Sequence, residues 1–280
     1  MIAAAAAHAV NAHGARIPLI GLGTWELRGR TCARLVEQAL ALGYRHLDTA
    51  ALYDNEREVG EGLRASGVDR DAVFVTTKVW PSDFAPRDLE RSANDSLQRL
   101  GLRQVDLLLL HWPNPRIPLS ATLGALCKIK RLGLARHIGV SNFTVAMIDE
   151  AARLATEPLV CNQIEVHPFL DQSKVVAACR RHGMAVVAYS PVARGGVTKD
   201  KVLARIGRTH GKTAAQVSLR FLVQQDIVVI PRTSRRERLA ENLAIFDFGL
   251  SPADMSDIAR LARRNGRVVD YAYSGSPKWD

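Results

Sequence analysis

Short apolar segments alternate with longer amphipathic segments along this 280-residue chain. Eight of the short segments have the length and composition of buried strands. They are PLIGLGT (18–24), YRHLDT (44–49), VFVTTKV (73–79), VDLLLLHW (105–112), HIGVS (137–141), LVCNQIEV (159–166), AVVAYS (185–190) and IVVIP (227–231). Regular alternation of this kind is typical of a parallel sheet covered by helices.

The segments between the strands have helical periodicity. In TCARLVEQALALG (31–43) we predict a buried face that consists of Ala33, Val36, Leu40 and Ala41. Gly43 directly follows this helix and Gly101 follows a later one, as expected of residues that end helices in a left-handed conformation.

Eight strand–helix units predict an α/β fold, a closed (β/α)8 or TIM barrel, with an open doubly wound sheet as the alternative. Before the first strand, VNAHGARIP predicts a β-hairpin with His13 and Gly14 at its turn, placed at the bottom of the barrel. The chain has no internal repeat or low-complexity linker, so residues 1–280 are predicted to form a single domain.

Composition excludes several classes of protein. Hydrophobic residues make up 47% of the chain, but no apolar run approaches the ~18 residues of a membrane span. The amino terminus lacks the basic start of a signal peptide, so we expect a cytoplasmic protein. The four cysteines are scattered, which favours reduced, buried thiols over disulfides or a metal site.

The net charge of +10 is compatible with a nucleic acid, a phosphorylated ligand or a solvated basic surface. The densest basic segment, PRTSRRER (231–238), contains no aromatic residue that could stack on a base, so we do not expect nucleic acid binding. Two phosphate-binding motifs are incomplete. Glu26 occupies the position of the third glycine in GxGxxG. Ile206 occupies the position of the first glycine of a P-loop that would end at Gly211-Lys212-Thr213.

Polar or aromatic residues follow nearly every predicted strand, where the active sites of barrel enzymes lie. Four of them suggest proton-transfer chemistry: Asp48, Tyr53, Lys78 and His111. A phenol is a weak acid at neutral pH, and a neighbouring ammonium makes it a better proton donor. A buried lysine needs a counter-ion such as Asp48, and His111 can orient a carbonyl oxygen. Each residue taken singly also has a purely structural interpretation.

The same residues lie in motifs that resemble those of the aldo-keto reductases. The matching segments are GLGTW (21–25), LDTAALYDNE (47–56), TTKVW (76–80), LLLLHWP (107–113), IGVSNF (138–143), NQIEVHP (162–168), AYSPVARGG (188–196) and IPRTSRRERLAENL (230–243). The resemblance implies a (β/α)8 barrel that uses NADPH without a Rossmann domain. It also implies that Tyr53 is the general acid, tuned by Lys78 and Asp48, and that His111 orients the substrate carbonyl.

The resemblance further implies the residues that bind NADPH. They are Thr24, Asp48, Ser141, Asn142, Gln163, Tyr189, Ser190, Pro191, Val192, Arg194, Arg232, Thr233, Arg238, Glu241 and Asn242. The family commonly has Lys-Ser where this chain has Arg232-Thr233. Since arginine binds phosphate bidentately and threonine keeps a hydroxyl, we expect a preference for NADPH to survive this change.

The likeness is strongest to bacterial members that reduce 2,5-diketo-D-gluconate and methylglyoxal, which implies a small polar carbonyl substrate. Only a few residues separate His111 from the helix predicted near Leu119, so the pocket should be shallow. Candidates for the substrate wall are Trp25, Tyr53, Trp80, His111 and Trp112, together with Trp279. We expect the tail from about 265 to 280 to cover the mouth.

The family is often monomeric, and we expect the same here, with no nucleic acid or membrane partner and no bound metal. Two other functions remain open at this stage. One is a cofactor-binding regulatory subunit, since the family includes channel β subunits that bind NADPH. The other is a nucleic-acid binder that uses the net charge of +10.

Overall fold

The computed structural model describes residues 8–270 and 277–280. An antiparallel hairpin comes first, with β1 (Ala9–Ala12) paired to β2 (Ala15–Pro18). Its turn has positive φ at both His13 and Gly14, which confirms the predicted hairpin. His13 Nε2 lies 2.9 Å from the carbonyl oxygen of His182, just before a barrel strand begins. The hairpin therefore lies at the amino-terminal end of the strands, as predicted.

Within the described residues, eight parallel strands form one sheet in sequential order. They are β3 (Leu22–Gly23), β4 (His46–Asp48), β5 (Phe74–Val79), β6 (Val105–Leu110), β7 (Ala135–Ser141), β8 (Leu159–Glu165), β9 (Ala185–Tyr189) and β10 (Val228–Val229). All eight coincide with predicted segments, although β3 and β10 are shorter than expected.

Hydrogen bonds between the first and last strand regions close the sheet. The backbone N–H groups of Gly21 and Gly23 donate to the carbonyl oxygens of Val229 and Pro231, at 2.9 and 3.1 Å. The predicted (β/α)8 barrel is confirmed, and the open-sheet alternative is wrong. Closure matters for function because it brings the carboxyl ends of all the strands around one opening.

Helices cover the outside of the barrel. Those in the described residues are α1 (Gly29–Leu42), α2 (Glu56–Ala65), α3 (Pro86–Leu100), α4 (Leu119–Arg131), α5 (Val145–Leu154), α6 (Ser173–Arg181), α7 (Lys201–His210), α8 (Ala214–Val223), α9 (Arg236–Leu243) and α10 (Pro252–Ala259). Gly43 and Gly101 end α1 and α3 with φ of 108° and 67°, as predicted. None of these helices is long and apolar enough to cross a membrane.

The predicted face of α1 is only partly correct. Its buried residues are Cys32, Leu35, Val36, Ala39 and Leu40. Ala33 is half-buried and Ala41 is exposed, against the prediction. Alanine loses little by facing water, so its apolar character does not decide the side of a helix on which it lies.

The core lies inside the barrel and between the barrel and its helices. Every residue of β5, β6 and β8 is buried. This set includes Lys78, and Asp48 at the end of β4 is buried as well. Buried charges need partners of opposite charge or hydrogen bonds. Lys78 and Asp48 therefore indicate where in the barrel a functional site is to be expected. All four cysteines are free and buried, as predicted.

Candidate active site at the carboxyl ends of the strands

A cavity of about 440 Å³ opens at the carboxyl ends of the barrel strands. Its wall is formed by strand ends and the loops that follow them. The lining residues are Gly23, Thr24, Trp25, Glu26, Asp48, Leu52, Tyr53, Trp80, His111, Trp112, Ser141, Asn142, Gln163, Tyr189, Ser190, Pro191, Val192, Arg194, Gly195, Ile230, Arg232, Thr233, Ser234, Arg235, Arg238 and Val269. This volume is typical of small-molecule sites.

Strand register places Asp48 beside Lys78. Asp48 is the last residue of β4 and is paired with Thr76 of β5. Lys78 lies two residues beyond Thr76, and side chains two residues apart point to the same face of a strand. Both charged groups therefore enter the barrel interior, where Asp48 is 1% exposed and Lys78 0%.

Lys78 Nζ contacts three oxygen atoms. It donates to Asp48 Oδ1 at 2.6 Å, to the carbonyl oxygen of Thr49 at 2.8 Å and to the hydroxyl oxygen of Tyr53 at 3.3 Å. An ammonium has three N–H donors, and all three are used here. Burial lowers the pKa of Lys78, and the Asp48 carboxylate opposes that effect. The arrangement joins a buried cation directly to the phenol of Tyr53.

The second oxygen of Asp48 connects this pair to the opposite side of the barrel. Gln163 of β8 donates from Nε2 to Asp48 Oδ2 at 2.7 Å. Ser141 donates to the carbonyl oxygen of Gln163 at 2.7 Å, and Thr24 donates to that of Asp48 at 3.0 Å. These bonds fix three further predicted cofactor-binding residues, Thr24, Ser141 and Gln163, around the ion pair.

Asn142 is held in a left-handed conformation, with φ of 63°. Its Nδ2 group donates to the carbonyl oxygen of His111 at 3.0 Å, and its Oδ1 accepts from the Tyr189 hydroxyl at 2.7 Å. Asparagine tolerates this backbone region better than most residues. Asn142 thereby ties the ends of three strands together at the floor of the cavity.

His111 lies directly after β6 in the wall of the cavity. Burial lowers the pKa of His111 well below its ordinary range, and the nearby positive charge of Lys78 acts in the same direction. Its Nδ1 atom is buried, without a hydrogen-bond partner among the described residues. A neutral imidazole carries one N–H, which can be donated to a carbonyl oxygen.

Asn55, a residue that the sequence analysis did not single out, anchors the loop that carries Tyr53. Its Nδ2 donates to the carbonyl oxygens of Thr24 and Leu27 at 2.8 and 3.0 Å, and its Oδ1 accepts from Thr49 at 2.8 Å. Buried amides that use both ends in this way rigidify their surroundings. The only feature of the sequence that pointed to Asn55 is its position in the LDTAALYDNE segment, which resembles the family.

Aromatic rings pack against Tyr53 and His111. Trp25 packs edge-on against the Tyr53 ring, with ring centroids 4.8 Å apart, and Trp80 packs against His111 at 5.2 Å. Trp112 also lines the cavity. Trp279 contacts Trp112, with ring centroids 5.9 Å apart, but does not itself line the cavity. The predicted aromatic wall is therefore assembled from the three earlier tryptophans.

The cavity also carries positive charge. Arg194, Arg232, Arg235 and Arg238 all line it. Arg232 is oriented by a hydrogen bond from Nε to the carbonyl oxygen of Trp25, at 3.1 Å. Tyr189 lines the same cavity. A tyrosine ring, buried amides and arginine side chains in one cavity suit the ring, the carboxamide and the phosphates of a nicotinamide dinucleotide.

Most of the predicted cofactor residues line this cavity, and two do not. Glu241 accepts a hydrogen bond from Thr213, at the start of α8, and Asn242 is buried in α9. Their proposed place near an adenine stays a prediction. The predicted catalytic residue Lys78 is fully buried and does not line the cavity, but it contacts Asp48 and Tyr53, which do.

Several lining residues were not predicted, namely Gly23, Glu26, Leu52, Gly195, Ile230, Ser234, Arg235 and Val269. Six of them lie inside the segments that resemble the family: Gly23, Leu52, Gly195, Ile230, Ser234 and Arg235. Nothing in the sequence distinguishes Arg235, which lines the cavity, from Arg236, which does not. Of the predicted tail over the mouth, Val269 reaches the cavity, whereas 271–276 lie outside the described residues.

The lowered pKa of His111 predicts a pH dependence of stability. The unfolded chain takes up a proton on this histidine below about pH 6.5 and the folded chain does not. Acidification therefore lowers the free energy of unfolding, by up to about 1.4 kcal/mol for each pH unit below about 6.5. Urea unfolding of the wild type and His111→Gln from pH 7.5 to pH 5 should show a shallower decline in the variant. Equal declines would contradict a neutral His111.

Comparison with known proteins agrees with this geometry. The family model "Aldo/keto reductase family" matches residues 19–263. Methylglyoxal reductase DkgB of Yersinia pestis is 40% identical over 267 residues, which cover 94% of this chain and 99% of the relative.

Two solved structures extend the similarity to the fold. A structure assigned as a 2,5-diketo-D-gluconic acid reductase B has a TM-score of 0.95 and 47% identity, and the match covers 98% of this chain and 97% of that one. An aldo-keto reductase from Bombyx mori in complex with NADP has a TM-score of 0.89 and 34% identity, over 96% and 98% of the two chains. The chain belongs to the aldo/keto reductase family.

Proposed function

We propose that this protein is an NADPH-dependent reductase that converts small polar aldehydes and ketones, such as methylglyoxal or 2,5-diketo-D-gluconate, to alcohols. The observation that carries the proposal is the contact of the buried Lys78 ammonium with the Tyr53 hydroxyl at the floor of the cavity. Membership in a family of oxidoreductases supports the reaction class. The names of the relatives support the substrate class.

Tyr53 is the proton donor in this proposal. Reduction of a carbonyl leaves negative charge on its oxygen, which must receive a proton. When bound, the reduced nicotinamide supplies the hydride that adds to the carbonyl carbon. The ammonium of Lys78 stabilises the phenolate that remains after the proton leaves, and Asp48 keeps that ammonium charged in a buried place.

His111 and the aromatic wall orient the substrate in this proposal. A neutral His111 can donate one hydrogen bond to the carbonyl oxygen and thus aim it at the Tyr53 hydroxyl. Trp25 and Trp80 restrict the rest of the substrate from two sides. Since α4 begins at Leu119, only a short segment separates His111 from the helix, which supports the shallow pocket expected from the sequence. These features favour a small carbonyl over a large apolar one.

Ser141, Asn142 and Gln163 would hold the carboxamide of the nicotinamide, and Tyr189 would stack on its ring. The arginine cluster formed by Arg194, Arg232, Arg235 and Arg238 would bind the phosphates. The charge of this cluster exceeds what a cofactor without the extra 2′-phosphate requires, which supports NADPH over NADH.

Loss of NADPH absorbance at 340 nm with methylglyoxal, glyoxal or 2,5-diketo-D-gluconate tests the proposed reaction directly. Tyr53→Phe should lower kcat by about 100- to 10,000-fold, the range typical of a lost general acid. NADPH binding, followed by quenching of tryptophan fluorescence, should be retained by the variant. Full activity in Tyr53→Phe would show that another group donates the proton.

Two arginines of the same segment provide a matched test of cofactor choice. Arg238 lines the cavity, whereas Arg236 begins α9, is exposed and does not. Arg238→Ala should raise the Kd for NADPH by about 10- to 100-fold, as expected for a charge-assisted hydrogen bond, and leave the Kd for NADH nearly unchanged. Arg236→Ala should bind both cofactors like the wild type. Equal weakening of NADPH and NADH by Arg238→Ala would place the phosphate elsewhere.

A further inference from the structure

Glu165, the last residue of β8, is a fully buried carboxylate outside the catalytic group. Its Oε1 accepts from the backbone N–H of Val268 at 2.6 Å, and its Oε2 accepts from that of Val269 at 3.0 Å. Arg267 Nη1 lies 3.6 Å from Oε2, and His167 Nε2 lies 2.9 Å from Oε1. Both oxygens of Glu165 are thus bound to a chain segment about a hundred residues away.

A buried carboxylate with these partners acts as an anchor. Its desolvation is costly unless donors surround it, and here two successive backbone amides of residues 267–269 supply them. A short parallel bridge joins Leu170 to Arg263 nearby. The segment that follows α10 is therefore fixed to the carboxyl end of β8 by specific bonds.

Residues 267–269 affect the cavity wall in two ways, one direct and one through neighbouring rings. Val269, whose N–H binds Glu165, lines the cavity itself. Arg267 stacks on the ring of Trp279, with its guanidinium carbon 3.5 Å from the ring centroid. Trp279 in turn packs against Trp112, which also lines the cavity. Movement of 267–269 would disturb Val269 directly and the backing of Trp112 indirectly.

We infer that Glu165 is a positioning residue, which holds the segment 267–269 so that Val269 and Trp112 complete the substrate side of the cavity. Its role is to set the shape of the pocket for small carbonyl substrates, and it takes no part in proton transfer. The kinetic consequence rests on the proposed reductase function. The anchoring itself does not, so the two can be tested separately.

Hydrogen exchange of the Val268 and Val269 amides tests the anchor without any substrate. In Glu165→Gln the side chain keeps one oxygen acceptor, and its NH2 group replaces the other. One of the two backbone N–H groups then faces a donor and loses its hydrogen bond. Exchange at these two amides should become about tenfold faster or more, since the lost charge-assisted bond protects them. Glu37→Gln, on the exposed side of α1, is the control and should exchange like the wild type. Unchanged exchange in Glu165→Gln would overturn the inference.

Steady-state kinetics of the same proteins test the effect on substrate. For Glu165→Gln with methylglyoxal and NADPH we expect KM to rise by about five- to tenfold, kcat to change by less than about twofold and the NADPH Kd to stay constant. Faster exchange with an unchanged KM would contradict the role in shaping the pocket. If the wild-type protein reduces no carbonyl compound, the proposed function is wrong. The hydrogen-exchange experiment then still tests whether Glu165 holds residues 267–269.

Trp279→Leu provides a second variant that leaves the buried carboxylate intact, in case Glu165→Gln does not fold. It removes the ring between Arg267 and Trp112. A similar rise in KM for methylglyoxal would support the inference. Wild-type KM in Trp279→Leu would contradict the route through Trp112.

Discussion

A single buried ammonium constrains the rest of this structure. Lys78 has no exposure to water, so each of its three N–H groups needs an oxygen, and the barrel supplies Asp48, Thr49 and Tyr53. Removal of any one of these oxygens would leave an unsatisfied donor in the interior. The fold therefore determines where the phenol lies, and the phenol in turn determines what the cavity can do.

Closure of the barrel makes this arrangement possible. The lysine and its carboxylate come from adjacent strands, but Gln163, which binds the other oxygen of Asp48, comes from the far side of the sheet. An open sheet would keep these strands apart. Asn55 and Asn142 then fix the loops that follow the strands, so that the residues on these loops are held around the Tyr53 phenol.

The sequence predicted what depends on local pattern and on recognisable motifs. Strand order, the hairpin and the group Asp48, Tyr53, Lys78 and His111 follow from apolar runs and from the residues that end them. The family resemblance predicted a tail from about 265 over the mouth, but no local pattern singled out Val269, because a buried carboxylate a hundred positions away brings this residue to the cavity. The exposed Ala41 shows the same limit, since helix packing decides its side.

A double-mutant cycle on carbonyl reduction tests the central claim, that Lys78 acts through the phenol of Tyr53. The rates of the wild type, Tyr53→Phe, Lys78→Met and the double variant would be measured at saturating NADPH, with circular dichroism as a check of folding. The account predicts that Lys78→Met causes little further loss once the hydroxyl is gone. Losses that multiply would show that the lysine acts independently of Tyr53, and would contradict the account.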